Sequence, residues 1–127
     1  MKLVLLIALF SSAVFSKGDF EKLRRQKLLN LIAKETKAIN SIRKKSSRLK
    51  YRLFELMSEK IKIFKENENI SFIEGKKTSR GKAFKKTLQM YKETKNYGLK
   101  ILSSMRNNSQ KAAIYYTLGL NSRDYSY

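Results

Sequence analysis

This chain has no cysteine, no histidine, no tryptophan and no proline, and only five glycines in 127 residues. Each absence removes a class of chemistry. Without cysteine no disulfide can staple the fold, even in an oxidising compartment. Losing cysteine and histidine together removes the usual zinc and copper ligands. It also removes the commonest general base and the Ser-His and Cys-His nucleophile pairs. The expectation is a protein that is not an enzyme and holds no metal or cofactor. Acidic side chains are scarce as well, ten against 29 lysines and arginines, for a formal net charge of +19.

Long apolar runs are also missing, with one exception at the start. Met1 and Lys2 open the chain, Leu3 to Phe15 is mostly apolar, and Ser11, Ser12, Ala13 and Ser16 supply small residues. A positive start, a short apolar core and small residues predict a cleavable secretory signal peptide over 1–16, cut after Ala13 or Ser16. The run is too short for a membrane span, which needs about 20 apolar residues. With no cysteine there is no lipid-modified mature start. The expected location is therefore outside the cytoplasm: periplasmic, cell-surface or secreted. Cleavage removes one charge, Lys2, so the body stays strongly basic.

Without proline and with little glycine, the remainder predicts an all-α fold, because neither strong helix breaker interrupts long segments. Asp19 suits an N-cap, and apolar residues then recur at helical spacing. The positions 39, 42, 46, 49, 53, 56, 60 and 63 alternate steps of three and four, a heptad pattern broken by Ser46 and Lys60. This predicts one long helix over 20–65, about 67 Å long at 1.5 Å per residue, with any kink falling near Ser46 and Ser47. The stretch from Asn67 to Gly81 carries the turn residues of a connector. Phe84, Leu88, Tyr91, Lys95, Gly98, Leu102 and Met105 mark a second helix over 82–106. A third, over 109–118, begins at Ser109 and closes at Gly119. Residues 17–120 then form one helical domain and 121–127 a polar, frayed tail. Amphipathic stripes must be covered, so the expected layout is a long antiparallel helical hairpin with the third helix across it. The first arm outruns the second. Its surplus apolar face is available to the third helix or, coiled-coil fashion, to a second copy of the chain.

Two loci of chemistry stand out and one of them fails. Gly75 to Lys82 (GKKTSRGK) has five residues between its glycines where a phosphate-binding loop needs four. Ala83 also replaces the magnesium-binding Ser or Thr, and no strand precedes the loop. A basic interhelical loop is the simpler reading. The second locus is cationic: Arg43, Lys44, Lys45, Arg48, Lys50 and Arg52 form one cluster, Lys76, Lys77, Arg80, Lys82, Lys85 and Lys86 another, and neither contains an acid. On a continuous helix Lys44, Arg48 and Arg52 would make one ridge at i, i+4 and i+8, projecting a positive field. These twelve residues are the candidate anion-binding set. Outside the cytoplasm their partners would be anionic lipid headgroups, acidic polysaccharide or acidic protein. Nucleic acid takes first place only if the N-terminus is retained and the protein is not exported. The tyrosines at 91, 97, 115, 116, 125 and 127 could add stacking area or simply pack. Glu55, Glu59 and Glu66 share helical spacing, but with lysines and arginines around them surface ion pairing is the expected role.

Overall fold

The computed structural model describes residues 17–75 and 83–125, and among them the protein is all-helical. The signal segment at 1–16, the basic residues Lys76, Lys77, Arg80 and Lys82, and Tyr127 lie outside the described residues. Four helices follow in order: α1 (Lys17–Asn40), α2 (Ser47–Ile73), α3 (Lys85–Leu102) and α4 (Asn108–Tyr125). The chain divides into two compact units, one ending at Leu31 and one beginning at Ile32. Among the described residues no helix is long and apolar enough to cross a membrane.

The single helix expected over 20–65 is two helices, and serine chemistry explains the break. At the end of α1, Ser41 Oγ donates to the carbonyl of Ala38 at 2.6 Å, and the Ile42 amide bonds the Ile39 carbonyl at 3.0 Å. Three like charges, Arg43 to Lys45, occupy the turn. Ser46 then takes an extended conformation (φ −68°, ψ 164°), and its hydroxyl accepts from the Leu49 amide at 3.3 Å. Serine side chains compete with backbone hydrogen bonding inside helices but favour their starts, where a cap adds about 1 kcal/mol. Asp19, expected as a cap, lies within the first turn of α1 instead.

The connector expected from Asn67 onward is largely helix too. α2 continues through Asn67 and Asn69 to Ile73 and stops at Gly75, whose φ of +74° is the left-handed conformation that glycine adopts without strain. The helix penalty of asparagine, about 0.7 kcal/mol at most, yields to packing. The ring of Phe72 lies 6.1 Å from that of Phe84, and Glu68 accepts from both the amide and the hydroxyl of Thr87, at 2.7 and 2.8 Å. Phe84, the N-cap of α3, offers no capping side chain, so the Glu68 carboxylate serves that helix start from the neighbouring helix.

In the unit from Ile32, contacts between α2 and α3 run in opposite directions. Phe72 meets Phe84, Glu68 meets Thr87, Ile61 packs with Tyr91, Phe54 with Ile101, and Lys50 reaches Ser104. The stripe predicted from Phe84 to Met105 supplies this face, with only Lys95 exposed. Phe54, Ile101, Met105 and Ile114 form one core cluster joining α2, α3 and α4; Ile39, Leu53 and Leu56 form another that brings in the last turns of α1. α4 starts at Asn108, one residue before the predicted start at Ser109. Asn107 is the cap, its side-chain oxygen accepting from the Ser109 amide at 2.8 Å.

Gly119 does not close α4, and residues 121–125 are not frayed. Tyr125 and Asn121 are buried, Asn121 donates to the buried Ser58 hydroxyl at 3.4 Å, and Lys65 Nζ donates to the Asp124 carbonyl at 2.8 Å while lying 5.1 Å from the Tyr125 ring. In the other unit, residues 17–31 are helical and leave Phe20, Leu23, Leu28 and Leu31 exposed.

Candidate anion-binding cleft

The first basic cluster does not form the predicted ridge. Lys44 belongs to the turn between α1 and α2, so the i, i+4, i+8 geometry is lost. Arg52 is also not a free cation. Its Nε donates to Glu35 Oε2, its Nη2 donates to Glu35 Oε1 at 3.0 Å, and Nη1 stands 3.6 Å from Glu55. The Arg52 hydrogen bond outweighs an opposing desolvation and, with the Arg52 charge adding to it, holds the Glu35 carboxyl below its ordinary range. Glu35 lies 17 residues upstream on another helix, which is why the sequence cluster looked free of acids.

Two other members of that cluster, Lys45 and Lys50, gather with residues far along the chain. A cleft of about 470 Å³ is lined by Asn40, Lys45, Lys50, Leu53, Tyr97, Lys100, Ile101, Ser103 and Ser104. Its position follows from three local stops: the end of α1, the Ser46-capped start of α2, and the end of α3. At that last stop Ser103 Oγ turns back to the Lys100 carbonyl at 3.2 Å and the Ser104 amide to the Ile101 carbonyl at 2.9 Å. Lys50 Nζ spends one hydrogen bond on Ser104 Oγ at 3.3 Å, and Lys45 Nζ spends one on the Ile42 carbonyl at 3.3 Å. Each ammonium has three donors, so both keep donors to offer. Lys100 is exposed and makes no ion pair among the described residues. Burial pushes the Tyr97 hydroxyl above its ordinary pKa, so it remains an O–H donor at neutral pH.

The lining thus holds three ammonium groups, a phenol, two serine hydroxyls and an amide, and no carboxylate. Arg43, Lys44 and Arg48 are exposed nearby in the chain and make no ion pair among the described residues. Tyr97, Lys100, Ser103, Ser104 and Asn40 were not identifiable from sequence as partners of Lys45 and Lys50. They lie outside the charge run, and only the α2–α3 register joins them to it.

The two described members of the second cluster lie apart from this cleft. Lys85 and Lys86 are exposed on the first turn of α3 and line a separate recess of about 340 Å³ with Phe64, Asn67, Glu68, Ser71 and Ala83. Of the glutamates read as ion-pairing residues, Glu55 faces Arg52 and Glu59 bonds Lys62 at 3.2 Å. Glu55, Glu59 and Asp124 line a third recess of about 180 Å³ between α2 and α4, with Lys62 its one cation. Among the tyrosines, Tyr91 and Tyr125 are core, Tyr97 lines the cationic cleft, and Tyr115 and Tyr116 are exposed. No protein-family model, no curated protein and no solved structure matches this chain.

Proposed function

We propose that this is an exported, non-enzymatic, basic helical protein that binds anionic envelope or surface material through the end of the fold around the cationic cleft. The observation that carries this reading is the gathering of Lys45, Lys50 and Lys100 around one recess with no acid in its lining. A solvated basic face needs no such arrangement. Charges lining a low-dielectric cleft focus their field and raise the local concentration of an anionic partner. The α1–α2 turn adds Arg43 and Lys44, and the first turn of α2 adds Arg48, to the same stretch of chain, enough for several contacts along a polymer.

Export rests on residues 1–16, read as a signal peptide. We read α2 and α3 as the two arms of a helical hairpin crossed by α4, with the Phe20, Leu23, Leu28 and Leu31 face of α1 available for self-association. Partner class is tested by titrating the purified protein with heparin, anionic vesicles and duplex DNA over a salt series. Polyanion binding that weakens steeply with salt supports the reading, and binding indifferent to salt removes it. Mass measurement of the N-terminus after cell fractionation tests export. A cytoplasmic protein retaining Met1 would instead place nucleic acid first among the partners.

A further inference from the structure

We infer that the cleft between α1, α2 and α3 receives one pendant tetrahedral oxyanion, a phosphate or sulfate monoester carried on a sugar of the bound polymer. This inference rests on the proposed binding of anionic surface material and names the group that enters the cleft. The recess is concave and about 470 Å³, within the roughly 300–1,000 Å³ of sites that enclose discrete small groups. A flat membrane surface would not fill it.

Its donors select the group. Three separate ammonium groups supply positive charge from α1–α2 and α3, and Ser104 and Tyr97 supply neutral hydroxyl donors. A tetrahedral oxyanion presents three peripheral oxygens to such a ring, whereas a planar carboxylate presents two. No arginine is in the lining, and arginine is the residue suited to bidentate carboxylate recognition. Lysine acts as a point charge and binds phosphate in that way. Beside the donors, Leu53 and Ile101 give an apolar patch and Tyr97 a ring face against which the body of a sugar can rest.

The test titrates the full chain with glucose 6-phosphate, glucose 6-sulfate, glucuronic acid and glucose by calorimetry, with amide NMR shifts to map the site. The expected result is binding of both esters, at least tenfold weaker binding of glucuronic acid, none of glucose, and shifts at Tyr97, Lys100, Ser103 and Ser104. Lys50→Gln and Lys100→Gln should each weaken ester binding about tenfold, the loss of one charge-assisted contact. Ser104→Ala, which leaves all charges in place, should weaken it less. Helix dichroism and melting midpoint verify that each variant is folded.

A pH series separates the two esters. The chain has no histidine, so a rise in affinity with a midpoint near pH 6 belongs to the second ionisation of a phosphate monoester. Sulfate binding should stay flat over the same range. The inference is overturned if heparin binds but neither ester does, or if the shifts map to Lys85 and Lys86 instead. Loss of heparin binding as well would bring down the functional reading itself.

Discussion

Two recesses in the same unit of this protein share the wall made by α2 and have opposite charge. Leu53 faces the one lined by Lys45, Lys50 and Lys100, while Phe54, the next residue, faces the one lined by Glu55, Glu59 and Asp124. In a chain with only ten acidic residues, three line one recess and none lines the other, so the two recesses carry fields of opposite sign. Net charge alone says nothing about where a polyanion will sit. The segregation of the few acids distinguishes one recess from the other.

The largest expected effects come from breaking the packing that holds both recesses. Ile114 is fully buried against Phe54, Ile101 and Met105, so Ile114→Ala should cost about 2–5 kcal/mol in denaturant unfolding. That is a large share of the roughly 5–15 kcal/mol typical of a domain, and both recesses should be lost together. Gly98→Ala comes next. A methyl there would lie 2.7 Å from Phe54 Cε1 and 3.2 Å from Leu118 Cδ2. Phe54 is 1% exposed and cannot swing aside. Overpacking of about 1–3 kcal/mol should outweigh the helix-propensity gain of about 1 kcal/mol. A melting midpoint at or above that of the parent protein would show the three helices to be looser than described.

The helices themselves were largely legible in the sequence. The stripe from Phe84 to Met105 has one regular spacing, and its residues face the core as that spacing requires. The break at Ser41 to Ser46 was harder to read, because the apolar register continues across it and only the serine side chains reveal two helix ends. The long α2 was hidden by Asn67 and Asn69, whose local preference is overruled by the Glu68–Thr87 and Phe72–Phe84 contacts. Tyr125 looked like tail because its burial depends on Ile61 and Lys65, about 60 residues upstream. The cleft was half legible. Its lysines at 45 and 50 stood in a charge run, but Lys100 and the two serines join them only through tertiary register, and Glu35 removes Arg52 by the same means.

Smaller effects sharpen the contrast between the recesses. Glu55→Gln with Glu59→Gln should leave heparin affinity within about twofold of the parent protein, since those acids line the recess that the proposed binding site leaves out. A tenfold gain would mean that the polymer crosses the acidic groove. Glu35→Gln leaves Arg52 with Glu55 as its one carboxylate partner among the described residues and should raise heparin affinity slightly. The same pair has a weak acid signature. The folded-state pKa of Glu35 is lowered, so its contribution to stability is present at neutral pH and fades as pH falls below about 4.3 and through that lowered value. Thermal melts of Glu35→Gln should therefore show a slightly flatter acid limb. Because both side chains are substantially exposed, this is the smallest of the effects.

The central claim is that the positive charge works at one end of the fold and not as a uniform coat. It is tested most directly by two variants that each lose two charges: Lys50→Gln with Lys100→Gln, and Lys85→Gln with Lys86→Gln. Heparin affinity is measured for each across a salt series. Each lost contact should take roughly 0.7–0.9 off the slope of log affinity against log salt. The account predicts a drop of roughly one and a half in that slope for the cleft variant and almost none for the other. Equal losses in the two variants would contradict it.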